Sequence, residues 1–152
     1  MKRPQPSRSA FKFSTEVRVR LNETDAVGIV FHGNYFIYMD VGRVDYLRNL
    51  DLMEQGRPIK GFDNVVVHSA CDFHHPAGYD DAIVVHIRIA EIGRSSFRFE
   101  FLFFDKKTNR HLASGESVHC AIDRPTMKPV PVPEAFRSRI AAFEGDSLAA
   151  GA

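Results

Sequence analysis

Apolar and polar residues alternate with a period of two in five segments of this chain. Such alternation is typical of strands that bury one face in a core and expose the other. The clearest case has phenylalanine at positions 97, 99, 101 and 103, with Arg98 and Glu100 between them. The pattern predicts five strands, which cover approximately residues 11–21, 62–74, 82–92, 97–103 and 111–123.

The segment that covers residues 34–50 has a different pattern. Its apolar side chains, from Tyr35 to Leu47, point in nearly every direction around a helix. A helix that is apolar on all sides is expected to be buried on all sides. It has about 16 residues and becomes charged in its second half, whereas a membrane span requires roughly 20 apolar residues. We therefore predict a buried helix with the sheet around it.

The order of these elements predicts how the sheet is built. One strand comes first, the helix follows, and four strands joined by short turns come last. Short turns favour antiparallel neighbours. The prediction is an α+β fold in which a curved antiparallel sheet of about five strands wraps around one long central helix.

The length of the chain, 152 residues, suggests one domain. Residues 1–9 are dominated by Pro, Ser and Arg and are expected to form a disordered arm. Residues 145–152 are expected to form a loose tail. The domain itself is predicted to cover residues 10–144, and it ends with a short helix that begins at Pro133.

The charge of the chain excludes some classes of partner. The 20 Lys and Arg residues nearly balance the 19 Asp and Glu residues, which gives no indication of nucleic-acid or membrane-surface binding. The basic N-terminus is not followed by the apolar segment of a signal peptide, and no apolar run suggests membrane insertion. We expect a cytoplasmic protein in which Cys71 and Cys120 are reduced rather than joined in a disulfide.

Two acidic residues flank the start of the predicted helix. Asp25 lies in the loop before it, and Asp40 lies about two turns inside it. The first turn of a helix has unpaired N–H groups and a partial positive charge, which can polarise a carbonyl oxygen. A carboxylate beside such a group can attack a carbonyl carbon or activate water. This combination is typical of an acyl-transfer site.

The stretch from Thr24 to Tyr35 reads Thr-Asp-Ala-Val-Gly-Ile-Val-Phe-His-Gly-Asn-Tyr, and Asp40 and Arg43 follow it. This long, ordered motif resembles the signature of hotdog-fold acyl-CoA thioesterases. The most similar branch contains 4-hydroxybenzoyl-CoA thioesterase and the thioesterases of the Tol-Pal gene cluster. The resemblance implies a hotdog fold and the hydrolysis of an aryl- or short acyl-CoA to a free acid and CoA.

The resemblance implies catalytic roles for four residues. Asp25 matches the family's catalytic aspartate, as nucleophile or general base, although such a loop carboxylate often bonds only to its own backbone. The N–H of His32, with Gly33 beside it, would bind the thioester oxygen, and the His32 imidazole is a second candidate donor. Asp40 matches the catalytic acid of another hotdog branch, and the alternative is an ion pair with Arg43 at i,i+3 spacing.

Substrate contacts are expected from six further residues, which are Asn34, Tyr35, Arg94, Ser95, Ser96 and Arg124. Asn34 is also a candidate helix cap. In the family, groups near the Gly-Arg-Ser-Ser turn contact the pantetheine arm and the phosphates of CoA. The alternatives are a simple hairpin for this turn and solvated surface charges for the arginines.

The family needs no cofactor, and the histidines of this chain have no partners that would suggest a metal site. Family members form homodimers or homotetramers with active sites at the subunit interface, and a single curved sheet with free edges fits that expectation. Two other functions remain open from the residues. One is a hotdog dehydratase for 3-hydroxyacyl thioesters, and the other is an acyl-CoA-binding module without turnover.

Overall fold

The computed structural model describes residues 4–55 and 59–150, and within them two α-helices and seven strands. The elements are β1 (Phe13–Arg18), α1 (Asn34–Asn49), β2 (Asp63–Phe73), β3 (Ala82–Ile92), β4 (Ser96–Asp105), β5 (His111–Asp123), β6 (Lys128–Pro129), α2 (Glu134–Glu144) and β7 (Ala149–Ala150). The long strands form one antiparallel sheet in the order β1-β3-β4-β5-β2. The two short strands, which the sequence pattern did not indicate, pair with β5 and β3.

The sheet packs around α1, so the predicted architecture is confirmed. The four alternating phenylalanines of β4 are almost completely buried, and two of them contact tyrosines of α1, Phe99 with Tyr46 and Phe103 with Tyr35. Neighbouring β5 has small residues on the same face, and a Cβ on Gly115 would lie only 2.9 Å from Met39 Sδ. The glycine therefore lets α1 approach the sheet closely at this point.

Only one side of α1 is buried in this chain, so the prediction of burial on all sides is wrong. Tyr38, Tyr46 and Leu47 are almost completely buried in the core, whereas Phe36 and Ile37 retain 39% and 51% of their exposure. A single helix cannot be enclosed by one sheet of five long strands, which covers it from one side. The other apolar side remains available to solvent or to a second protein surface.

A β-bulge between Val66 and His68 interrupts the period-two alternation predicted for β2. The inserted residue, Val67, breaks the alternation, and strict alternation along this segment was therefore a wrong prediction. Asn64 thereby shares the helix-facing side of the sheet with His119, to which its side chain is hydrogen-bonded. After the bulge, Ser69 lies on that side of the sheet.

The described part of the predicted disordered arm lies against the sheet instead. The side-chain amide of Gln5 donates a hydrogen bond of 2.7 Å to Ser114 Oγ, and the Arg8 guanidinium lies 4.1 Å from the centre of the Phe104 ring. At the other end, Ala149 of the predicted loose tail pairs in parallel with Glu91 of β3. Residues 1–3 and 151–152 are outside the described residues.

Glu144, at the end of α2, is completely buried against the C-terminal half of α1. Its Oε1 accepts hydrogen bonds from the Tyr46 hydroxyl at 2.6 Å and from the Ile89 N–H at 3.3 Å. Burial raises the pKa of Glu144 above its ordinary value of 4.5, and the two hydrogen bonds and the more distant charges of Arg88 and Lys12 only partly oppose this shift. The Glu144 carboxylate thus connects α2 with α1 and β3. Among the described residues, no positively charged side chain forms an ion pair with it.

We predict that Glu144→Gln removes a pH-dependent loss of stability. Because the folded protein holds this proton more tightly than the unfolded chain, the wild type loses stability as the pH rises from 4.5 through the raised pKa. The loss is about 1.4 kcal/mol for each unit of pKa displacement. The amide of the variant can still accept both hydrogen bonds but does not titrate.

Urea unfolding between about pH 4 and pH 8 measures this effect. The free energy of unfolding of the variant should rise relative to that of the wild type as the pH increases. Glu134→Gln, at an exposed position of the same helix, is the matched control and should follow the wild type. A constant difference between Glu144→Gln and wild type at all pH values would contradict the assignment.

Candidate active site

The loop before α1 holds Asp25 in a tight turn. Its Oδ1 accepts hydrogen bonds from the N–H groups of Val27 at 2.9 Å and Ile29 at 3.4 Å. The turn requires Gly28 at a φ of 90°, a conformation that suits glycine. The expected bonding of Asp25 to its own backbone is therefore present, but it occupies only one oxygen. Among the described residues, Oδ2 has no hydrogen-bond partner.

Glu23 anchors this loop to the helix. It is 5% exposed, and its carboxylate accepts hydrogen bonds from the backbone and guanidinium of Arg20 and from the Tyr38 hydroxyl. Its carbonyl oxygen accepts from the Phe31 N–H at 2.9 Å. Burial alone would raise the pKa of Glu23, but the hydrogen bonds from Arg20 and Tyr38 outweigh it and lower the pKa. The sequence pattern did not indicate a role for Glu23, whose only local signal is its i,i+3 spacing from Arg20.

The start of α1 presents two backbone donors. The N–H groups of Asn34, Tyr35 and Phe36 donate to the carbonyls of residues 31, 32 and 33, as in a continuing turn. By contrast, the N–H groups of His32 and Gly33 donate to no acceptor within the described part of the chain. Free N–H groups at the positive end of a helix form a site for a negatively charged or polarised oxygen.

Aromatic side chains surround these donors. The His32 ring is exposed and lies between Phe31, at a centroid distance of 4.4 Å, and Phe73, at 6.2 Å. A Cβ on Gly33 would lie 2.8 Å from the Phe31 ring, so glycine leaves the space that this ring fills. The His32 and Gly33 N–H groups therefore lie at a surface opening lined by aromatic rings, which can exclude part of the solvent.

Asn34 and Tyr35 occupy positions that differ from those expected. The helix cap is Gly33 rather than Asn34, whose side-chain amide donates to the Glu23 carbonyl at 2.8 Å. Tyr35 is 3% exposed and packs against Phe73 and other core rings. Burial raises the pKa of Tyr35 to about 12, so its hydroxyl stays neutral. Both side chains therefore stabilise the start of the helix through contacts with the rest of the protein.

Asp40 forms the ion pair that was the alternative to a catalytic role. Its Oδ1 accepts from Arg43 Nη2 at 2.5 Å and from Nε at 3.0 Å. The Asp40 side chain is 62% exposed, so solvent screens this pair. The helix rise of 1.5 Å per residue separates Asp40 from His32 by about 12 Å along the axis.

The expected CoA-binding residues lie at the opposite end of the sheet. The helix start packs against the C-terminal end of β4 through Tyr35 and Phe103, whereas Ser96 begins that strand. The carbonyl of Ser95 accepts from the Ala121 N–H, near the end of β5, and Arg124 pairs with Asp63 at 3.0 Å. Arg94 is exposed in the same turn. One chain therefore does not bring these residues to the helix start.

Three further observations bear on the class of protein. Within residues 4–55 and 59–150, no group of three or more His, Cys, Asp or Glu side chains is arranged to hold a metal ion. No helix in these residues is long and apolar enough to cross a membrane. Cys71 and Cys120 are free thiols, and burial raises the pKa of Cys71 to about 12, which makes it unreactive.

Comparison with known families identifies the group to which this fold and motif belong. The model of the thioesterase-like superfamily matches residues 19–140, which include the motif loop, the helix and all the long strands after it. The chain belongs to the thioesterase-like superfamily. The hotdog fold expected from the motif is thereby confirmed together with the family.

Individual relatives agree with this assignment. The chain is 30% identical over 128 residues to the acyl-CoA thioesterase YbgC of Haemophilus influenzae, an alignment that covers 83% of this chain and 92% of the relative. A thioesterase from Thermus thermophilus, solved in complex with coenzyme A and Zn, is 31% identical with a TM-score of 0.76 and covers 90% of this chain and 97% of that one.

A third relative supports the fold alone. It is Slr0204, a 1,4-dihydroxy-2-naphthoyl-CoA thioesterase from Synechocystis, which is 24% identical with a TM-score of 0.79. The match covers 87% of this chain and 97% of that one.

We predict that Glu23→Gln destabilises the protein by about 1 kcal/mol at neutral pH, because the amide replaces charge-assisted hydrogen bonds to Arg20. The pKa of Glu23 is lower in the folded protein than its ordinary value of 4.5, so its contribution is present above that pH and lost as the pH falls through the lowered value. The difference between variant and wild type should therefore shrink on acidification.

Urea unfolding from about pH 7 to about pH 3 tests this prediction. Glu16→Gln removes an exposed carboxylate that pairs with exposed Lys106, and this control should cost little at any pH. A destabilisation by Glu23→Gln that stays constant down to the lowest pH would show that its charge is not responsible.

Proposed function

We propose that this chain is an acyl-CoA thioesterase that hydrolyses an aryl- or short acyl-CoA to a free acid and CoA. The observation that carries the proposal is the pair of free N–H groups at His32 and Gly33, beside a loop that fixes the Asp25 carboxylate. The name of the Haemophilus relative and the coenzyme A in the Thermus structure support acyl-CoA as the substrate class.

The helix start acts as the oxyanion hole in this proposal. The thioester carbonyl oxygen accepts hydrogen bonds from the His32 and Gly33 N–H groups, and the partial positive charge at the end of α1 strengthens them as negative charge develops. These donors are part of the backbone, so they need no reorganisation during the reaction. The His32 imidazole is exposed beside them and can assist as an additional donor.

Asp25 supplies the carboxylate for the chemical step. Its Oδ1 is held by two N–H groups, which leaves Oδ2 to act on the thioester. As a general base, it takes a proton from water while the water oxygen attacks the carbonyl carbon. The C–S bond then breaks, the CoA thiolate receives a proton, and the acid is released. As a nucleophile, Asp25 first forms a mixed anhydride with loss of CoA, and water then cleaves it.

A second copy of the chain completes the site in this proposal. Strand β2 is an edge of the sheet, and its exposed Val66 lies near the exposed apolar side of α1, with exposed Val67 next to it in the strand. Two β2 edges that pair antiparallel around a two-fold axis place the Asp63 end of one strand beside the Phe73 end of the other. This pairing brings two groups from one copy close to the helix start of the other. They are the turn with Arg94, Ser95 and Ser96, and Arg124, which pairs with Asp63. They can then bind the pantetheine arm and phosphates of CoA.

We predict that Asp25→Asn lowers kcat by about 10²- to 10⁴-fold, because the amide can neither attack the thioester nor accept a proton. Hydrolysis of a panel of aryl- and alkyl-CoAs, followed by release of the free CoA thiol, measures this loss. The amide oxygen can still accept the loop hydrogen bonds, so thermal unfolding should change little.

Asp40→Asn is the matched comparison for this experiment. It removes the ion pair between the exposed Asp40 carboxylate and Arg43 and should leave kcat within about threefold of wild type. Full activity of Asp25→Asn together with loss of activity in Asp40→Asn would transfer the chemical role to Asp40. A wild type that hydrolyses no member of the panel would contradict the enzymatic proposal.

We predict a homodimer or homotetramer in solution, and Val67→Lys should shift it toward monomer because a charge on an edge strand opposes strand pairing. Activity should fall in parallel, since one chain lacks the residues for CoA at its own helix start. Light scattering after size-exclusion chromatography measures the mass. Met127→Lys, at an exposed apolar position in the β5–β6 turn, is the control and should leave the assembly intact. A fully active wild-type monomer would refute the shared site.

A further inference from the structure

A small recess lies between the exposed side of α1 and the edge of the sheet. It has a volume of about 60 Å³. Its apolar wall includes Phe36, Met39 and Phe101. Its polar lining consists of the Asp40–Arg43 ion pair of α1, Ser69 of β2, and Ser117 and His119 of β5. Polar residues at these inner positions interrupt an otherwise apolar face of the strand, which suggests a function other than packing.

A chain of hydrogen bonds fixes the proton positions behind the recess. His119 Nδ1 lies 2.9 Å from the side-chain oxygen of Asn64, and His119 Nε2 lies 3.0 Å from Ser117 Oγ. An amide oxygen only accepts, so Nδ1 carries the proton of the neutral ring. Nε2 is therefore the acceptor, and the Ser117 hydroxyl donates its proton to it.

The imidazole stays neutral at physiological pH. His119 is 2% exposed, stacks on Phe97 at a centroid distance of 5.4 Å and meets the edge of Phe99. Burial, reinforced by the positive charge of Arg43 and only partly opposed by Asp40, lowers the pKa of His119 to about 4. Such a weak base is unsuited to activating Ser117 as a nucleophile. The arrangement instead holds a fixed hydrogen-bonding pattern.

Ser117 consequently presents an acceptor to the recess. Its only proton is committed to His119, and no second hydrogen bond to Ser117 Oγ is found among the described residues. A ligand hydroxyl or amino group can donate to the free lone pairs of this oxygen, whereas a carbonyl or ether oxygen would meet them unfavourably.

We infer that Ser117 selects acyl-CoAs whose acyl group carries a hydrogen-bond donor, with hydroxyl as the preferred group, and that His119 is the positioning residue that orients Ser117. This inference rests on the proposed thioesterase function and adds the class of acyl group. The recess lies about two helical turns from the His32 N–H, so the selected hydroxyl is distant from the thioester carbon.

Pairs of acyl-CoAs that differ by one distal hydroxyl test the inference. Suitable pairs are the hexanoyl, octanoyl and decanoyl thioesters with their ω-hydroxy forms. In at least one pair the wild type should have a kcat/KM about tenfold higher for the hydroxylated member, and Ser117→Ala should reduce that ratio by about five- to tenfold. The loss should fall on the hydroxylated member.

Two variants separate selection from general damage. Ser114→Ala changes the same residue type on the opposite face of β5 and should retain the wild-type ratio. His119→Phe keeps a ring against Phe97 but frees the Ser117 proton. It should lower the preference for the hydroxylated member and raise kcat/KM for the corresponding keto-acyl-CoA, an effect that lost packing alone would not produce.

Binding of non-hydrolysable thioether analogues of each pair, measured by calorimetry, gives the same ratio without turnover. Equal affinities and equal kcat/KM values for both members of every pair would overturn the inference, as would a Ser117→Ala variant that weakens both members alike. If no acyl-CoA is hydrolysed, the proposed function fails, whereas the affinity ratio of the analogues still decides the role of Ser117.

Discussion

The packing of a single helix against one side of a curved sheet is the constraint on which the rest of this structure depends. Phenylalanines of β4 contact the buried side of α1, and within the described residues the sheet has no further strands that cover the other side. As a result, the helix start and an apolar strip with Phe36, Ile37 and Val41 remain at the surface. The proposed oxyanion donors, the shared interface and the acyl recess all lie along this uncovered side. The same incomplete enclosure thus leaves both a catalytic end and a surface for a second copy.

Two buried glutamates hold the helix at its ends, and their environments give them opposite electrostatic behaviour. Each accepts a hydrogen bond from a tyrosine of α1, Glu23 from Tyr38 and Glu144 from Tyr46. Glu23 also receives the guanidinium of Arg20, which favours the ionised form and lowers the pKa. Glu144 has no such directly paired cation among the described residues, so burial dominates and raises the pKa. The anchor beside the proposed active site is therefore the charged one, and its stabilising effect is present at neutral pH.

The sheet also sets the polarity of the proposed acyl site. The bulge at Val67 turns Asn64 toward the helix side, where it fixes the tautomer of His119 and, through it, the proton of Ser117. A strand without the bulge would place the Asn64 side chain on the opposite face. One inserted residue on an edge strand thereby decides whether the recess offers an acceptor or a rotating hydroxyl.

The sequence by itself determined the features that depend on near neighbours. The period-two segments predicted the long strands, and the motif predicted a helix that begins near residue 34 with free N–H groups at His32 and Gly33, because such bonds involve residues three or four positions apart. The Asp40–Arg43 pair, weighed as an alternative, follows from the same local spacing. Only the tertiary structure decided the burial of Glu23, the exposed side of α1 and the contact of Asn64 with His119, 55 residues away. These depend on which distant segments meet, and neither alternation nor composition encodes the bulge or the number of strands available to cover a helix.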